Sequence, residues 1–309
     1  DHGNRGAIPG TSGTHNEQKK QIRMKTIIIS DIEGKSESII PYGLHIGKHT
    51  RSEVDILHII DPRKKQGPSS SYANSKSITP GDVLSPKDVQ LREKNRVSLA
   101  LHRLLSAEAS RLDYPLKIDV RIETDSVEKG IRSITRESPG CILIHSLKPS
   151  NSMVSDLEEM LSIVRDLDSL VLIVPPKLKF TKPEKVTVLT DFAGESQESI
   201  STVFDWLALF DPLINALGVT KMKHFVDMEM KSATWKQVVE KHMNAPKNIK
   251  TTVITGGDRN ETLLNHVRRN EPDMVLLPRL TLKPKVKQIL SGNNTKQLIA
   301  ALNRPVVLY

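Results

Sequence analysis

Lys25-Thr-Ile-Ile-Ile-Ser-Asp31 and Lys185-Val-Thr-Val-Leu-Thr-Asp191 carry one pattern, a short apolar run that closes on a hydroxyl residue and an aspartate. Such a run reads as a buried strand followed by a loop. Gly34 and Gly194 each lie three residues past that Asp, and Glu37-Ser38-Ile39 and Glu198-Ser199-Ile200 follow, with one extra residue in the second copy. The offset between the copies is 160. Arg136-Glu-Ser-Pro139-Gly-Cys141-Ile-Leu-Ile-His145 aligns with Arg269-Asn-Glu-Pro272-Asp-Met274-Val-Leu-Leu-Pro278 at offset 133, and Leu170-Val-Leu-Ile-Val174 aligns with Pro305-Val-Val-Leu-Tyr309 at 135. The Pro/Ser/Gly/Lys-rich stretch from Pro62 to Leu84 accounts for the length lost in the second copy.

Working outward, the repeat predicts two domains, residues 24–176 and 184–309, with a linker over 177–183 inside the stretch bounded by Pro175, Pro176 and Pro183. Residues 1–23 are polar and glycine-rich and read as a flexible tail, because they lack the apolar surface that would offset ordering entropy. In the first domain strands are predicted at Thr26–Ser30, Val54–Asp61, Lys117–Glu123, Cys141–Ser146 and Leu170–Val174. The second repeats them at Val186–Thr190, Ile214–Thr220, Thr251–Thr255, Met274–Pro278 and Val306–Tyr309. Amphipathic helices alternate with these strands. Near-continuous Val/Ile/Leu strands separated by helices predict an α/β fold of two open-sheet domains, each a mostly parallel five-stranded sheet with helices on both faces. Ligands of such sheets bind beyond the carboxyl ends of the strands.

Composition narrows the function. Of 309 residues, 37% are hydrophobic and only 4% aromatic, so the cores are aliphatic. No apolar run approaches the ~18 residues of a membrane span, and no secretory h-region opens the chain, so a cytoplasmic location is expected. The single cysteine, Cys141, excludes an intramolecular disulfide and any multi-cysteine metal site. The net charge of +9 is dispersed and lacks interleaved aromatics, which argues against nucleic acid as a partner.

The strand ends Ser30-Asp31 and Thr190-Asp191, the run Val54-Asp-Ile-Leu-His-Ile-Ile-Asp61, the turn Gly256-Gly257-Asp258 and the terminal Arg304-Pro-Val-Val-Leu308 together resemble the universal stress protein family, as a tandem pair over nearly all of residues 24–309. The resemblance implies an adenine nucleotide alpha hydrolase-like sheet whose last strand pairs across a dimer, either a homodimer or the two domains of one chain. It also implies a nucleotide at the carboxyl ends of strands one and four. On that resemblance Asp191 meets the adenosine part, the backbone at Val219 faces adenine, and Gly257, Gly292, Asn293, Asn294 and Thr295 shape a phosphate turn for ATP or AMP with Mg2+.

Two of the three glycines of the family's phosphate motif are missing. Strict spacing puts Arg279 and Leu282 in their places, one inserted residue puts Pro278 and Thr281 there, and Arg279, Lys283, Lys285 and Lys287 are candidates to supply charge instead. Asp31 and Asp191 also suit the cap of a following helix, and Gly292 with Asn293 suits an ordinary helix start. In the first domain Asp156, Glu158 and Glu159 crowd the equivalent helix start, and Thr124 replaces Gly257. His45 and His49 share a helix face without an acidic or cysteine partner and read as surface residues. His58 and Cys141 read as core, and His145-Ser146 lacks a third triad member. The long helix from Pro86 to Leu112 is predicted to pack on the sheet through Val89, Val97, Ala100, Leu101, Leu104, Leu105 and Leu112. The chain reads as a regulatory or interaction module with no required cofactor and no catalytic group; the alternative is an ATP- or AMP-binding protein using its second domain. An unidentified protein partner is expected, with the exposed edge of the fifth strand as one association surface.

Overall fold

The computed structural model describes residues 24–30, 39–60, 86–137, 140–145, 157–165, 167–192, 197–242, 248–279 and 298–309. The first half runs β1 (Lys25–Ile29), α1 (Ile39–Thr50), β2 (Val54–Ile59), α2 (Pro86–Ala109), β3 (Ile118–Glu123), α3 (Val127–Glu137), β4 (Gly140–His145), α4 (Leu157–Val164) and β5 (Leu170–Val174). The second runs β6 (Lys185–Leu189), α5 (Gln197–Ala208), β7 (Leu213–Thr220), a 3-10 turn at Met222–His224, α6 (Phe225–His242), β8 (Ile249–Thr255), α7 (Arg259–Asn270), β9 (Met274–Leu277) and β10 (Val306–Leu308), with residues 298–302 helical before β10. The tail 1–23 and the stretch from Pro62 to Leu84 lie outside the described residues.

The strands form one continuous ten-stranded sheet, in the order β3-β2-β1-β4-β5-β10-β9-β6-β7-β8, rather than two separate five-stranded sheets. Every pair is parallel except β5 with β10, which is antiparallel at the centre. The halves thus have the same strand order and meet edge to edge. This corrects the expectation of an exposed fifth-strand edge: Leu172 and Val307 are partners in that ladder, and the outer edges are β3 and β8.

Alternation along each strand sends side chains to two cores. One core joins Ile28, Val54 and Ile56 to α1 and α2, and Val186, Val188 and Ile214 to α5 and α6. The other joins Ile27, Leu57 and Ile59 to α3 and α4, and Leu189, Leu217 and Val219 to α7 and the helical residues 298–302. Helices on both faces explain why the strands read as unbroken apolar runs. Trp206 and Phe210 are core neighbours, with ring centroids 5.0 Å apart.

The α2 helix departs from its predicted packing. Val97 and Leu101 are buried and Leu104 and Leu105 half-buried, but Val89 is 48% exposed. Residues 87–92 are all exposed, so the helix seats on the sheet only in its later turns.

Candidate functional site

The carboxyl ends of β6, β7 and β8 converge, and three of the sequence-derived site residues lie there. Asp191 is half-buried just past β6, Val219 is in β7 opposite Ile254 of β8, and Gly257 follows β8. Gly292, Asn293, Asn294 and Thr295 lie outside the described residues, as do Lys283, Lys285, Lys287 and Asp31. The Val219 side chain turns away into the α7-side core. Gly257 borders open space, since a Cβ there would meet nothing within 4 Å. Asp258 is already used: its carboxylate accepts from the Glu261 amide at 2.8 Å and caps α7.

The residue that dominates this end is Phe192. Its backbone is left-handed, with φ 59°, and its ring is 6% exposed. The ring lies on Gly218 of β7, where an added Cβ would come within 2.5 Å of it. Trp235 of α6 stands edge-on to it with centroids 5.5 Å apart, and Phe204 of α5 backs Trp235 at 5.9 Å. The Phe192 amide donates to Thr190 Oγ1 at 2.8 Å, which fixes the reversal. Burying a phenylalanine ring contributes ~2–3 kcal/mol, while the left-handed conformation costs ~1–2 kcal/mol; burial wins. A glycine inside a strand is the sequence signal of such a close approach, and Gly218 carried it unread.

A second closure lies between β6 and β9. The register pairs Val188 with Leu276, so the next rung would take the amide of residue 278, and Pro278 has none. The Tyr309 hydroxyl donates to the Leu189 carbonyl at 2.8 Å instead. The two strand ends implied to hold a nucleotide are thus bridged by Tyr309, whose amide also donates to the Leu277 carbonyl at 3.1 Å.

Arg279, a candidate to supply charge to a phosphate, is placed at the seam between the halves. Its guanidinium donates to the Leu167 carbonyl in the turn before β5, across the seam between the halves. Its own amide donates to the Tyr309 carbonyl at 2.5 Å. Burial pushes the guanidinium down to about 10, against the opposing pull of Asp168 and Cys141. Nη1 is engaged by the Leu167 carbonyl, while Nε is buried without a hydrogen-bond partner among the described residues.

In the first half, His58 of β2 occupies the register position that Gly218 holds in β7. Its ring is buried, with Nδ1 3.4 Å from Ser30 Oγ. His45 and His49 lie against Phe180 of the connecting segment, at 5.7 and 5.0 Å between centroids. Their joint face is taken by a ring. Burial pushes the Cys141 thiol up to about 12, which suits a core residue rather than a nucleophile. Ser146 and the His145 side chain lie outside the described residues.

No family model matches the chain, and no curated protein matches it in sequence. Solved structures do match. A universal stress protein from Archaeoglobus fulgidus DSM 4304 superposes with a TM-score of 0.59 at 11% identity, over 93% of this chain and 98% of that one. A putative universal stress protein from Pseudomonas aeruginosa UCBPP-PA14 gives 0.54 at 13% identity, over 93% of each. A functionally unknown protein from Pseudomonas aeruginosa PAO1 gives 0.53 at 12%, again over 93% of each. At such identities the likeness is one of architecture, and in architecture the chain is universal-stress-like.

Proposed function

We propose that the protein is a universal-stress-like, cytoplasmic regulatory and interaction module of a stress response, and that neither half holds a nucleotide in the family's manner. The packing of Phe192 on Gly218 carries this reading. Its ring fills the carboxyl ends of β6 and β7, where an adenosine group would meet Asp191 and the backbone at Val219. In the first half His58 fills the equivalent place, and the ladder register, which sets Thr124 on Thr255, puts Ser126 rather than Thr124 where the second half has Gly257. The partner is a protein, because the positive charge is dispersed rather than gathered into a nucleic-acid footprint. With β5 and β10 already paired within the chain, a homodimer would use another face.

The alternative is a second half that binds ATP or AMP with Mg2+ through Asp191, Val219, Gly257, Gly292, Asn293, Asn294 and Thr295. The open space at Gly257 favours it. Calorimetry separates the two. Wild type titrated with ATP and Mg2+ gives no heat below about millimolar concentration, and Phe192→Ala opens a ring-sized slot and gains binding. Tight binding by wild type, lost in Gly292→Asp, overturns the module reading.

A further inference from the structure

The registers that match β2–β3 with β7–β8 set Ile118 and Ile249 at equivalent positions, an offset of 131. Carried back along the preceding helices, that offset sets Leu101 on Ser232 and Leu104 on Trp235, and all four face inward, buried or half-buried. It sets Leu91, Asn95 and Leu99 of α2 on Met222, Val226 and Met230 at α6. The five apolar members of these two rows are exposed: Leu91 59%, Leu99 53%, Met222 74%, Val226 70% and Met230 68%. Positions four apart lie on one helix face. Each half therefore turns an equivalent ridge to solvent on the helix that leads to its edge strand. A single exposed leucine is ordinary; the same ridge in both halves, with three large apolar side chains in succession on one of them, is not.

Charge chooses the occupant. Lys87, Arg92 and Arg103 flank the α2 ridge, and Lys221 and Lys223 flank the α6 ridge; all are exposed, and none makes a salt bridge among the described residues. Nearby acids are largely committed: Glu93 to Arg96, Asp227 to Lys231, Glu240 to Lys236, and Asp88 also has a partner. Glu229 is the exception. A second copy of this chain would set like charges together, on top of a net charge of +9 on each. A flat anionic membrane fits no better. The ridges sit at opposite ends of the sheet, roughly seven to nine strand spacings apart, and a twist of ~20° per strand turns them toward nearly opposite directions.

We propose that these ridges are two equivalent docking sites, each for one acidic amphipathic helix of a protein partner, so that one chain binds two partner helices. The proposal supplies the partner chemistry for the interaction-module reading, and nucleotide calorimetry does not report on it. The probe is a synthetic helical peptide with Leu at i, i+4 and i+7 and Glu on its flanks, titrated into the full chain by fluorescence anisotropy and calorimetry. Two peptides bind per chain, and the affinity falls as salt rises. Leu99→Glu removes one site and Met230→Glu the other, each with an unchanged thermal transition because the position is exposed. The double variant weakens binding more than roughly tenfold, a loss above ~1.4 kcal/mol. Equal binding of the Lys-flanked peptide, a stoichiometry untouched by either substitution, or capture by phosphatidylserine vesicles in place of the peptide overturns the proposal. Val226→Glu is a second probe of the α6 ridge should Met230→Glu unfold.

Discussion

The two halves share every strand register, yet they differ at two rungs of the second strand. At the amino end, β2 has Asp55 where β7 has Asn215. Asp55 is 1% exposed and is held by Lys25 Nζ at 3.2 Å, while its other oxygen has no hydrogen-bond partner among the described residues. Asn215 sits in a neutral chain instead: Thr252 Oγ1 donates to its Oδ1 at 2.7 Å, and its amide lies 3.1 Å from His266 Nε2. Nearer the carboxyl end, β2 has His58, bonded to Ser30, where β7 has Gly218 covered by Phe192, itself tied to Thr190. The first half fills its slot from within the strand, and the second fills it from the loop that follows β6. A strand residue cannot leave without breaking the sheet, whereas a loop residue can. On the proposed reading, the difference makes the second half the one in which a ligand slot would be recoverable.

Breaking the charged rung is expected to have the largest effect. Lys25→Met leaves Asp55 buried without its cation, and removing one partner of a buried pair costs about 3 kcal/mol or more. Urea denaturation should show it as a lower midpoint with an unchanged slope. Adding Asp55→Asn, which copies the second half, should return most of the loss. No recovery in the double variant would mean that the pair does not hold the first half together.

Filling the glycine comes next. Gly218→Ala puts a methyl within 2.5 Å of the Phe192 ring. Overpacking of this kind costs ~1–3 kcal/mol. Combined with Phe192→Ala the same methyl meets no ring, so the two substitutions should be far from additive in a double-mutant cycle. Additive losses would show that the ring does not rest on Gly218 in solution.

Much of this architecture was legible in the sequence, and the reason is register. The offsets read from sequence, 160 for Asp31 with Asp191, 133 for Cys141 with Met274 and 135 for Leu170 with Pro305, are those that the backbone ladders give for β1, β4 and β5. A buried strand fixes both its residue types and its neighbours, so the pattern survives. The partner of the fifth strand was left open between a second copy and the other domain of the same chain, because an apolar run such as Leu170–Val174 states that it is buried and not against what; the ladder with β10 settles it within the chain. The packing of Phe192 on Gly218 was missed for a similar reason. Phe192 resembles any loop residue until Gly218, far off in the chain, is seen to leave space for its ring. Arg279 read as a free cation because nothing local announces the Leu167 carbonyl that engages it.

The neutral rung carries the smallest expected effect and the most specific one. Thr252 donates to Asn215 Oδ1, which orients the amide so that its Nδ2 donates to His266 Nε2, and that nitrogen must accept. A proton on Nε2 would set donor against donor. Burial and the nearby Lys250 push the His266 pKa below its usual 6.5. A base whose folded pKa is depressed contributes stability that is fully present above its unfolded pKa and is lost as pH falls through the folded one. Stability should therefore be flat above about pH 6.5 and decline below it. The shift of His49 has the same sign, from burial first and then from His45, Lys182 and Lys48, but that ring is largely solvated and adds less. Comparison of His266→Asn with His49→Asn in urea melts across this range separates them. The first should flatten the decline more than the second, and the reverse order would place the acid sensitivity at the connecting segment around Phe180 rather than in the neutral rung of the second half.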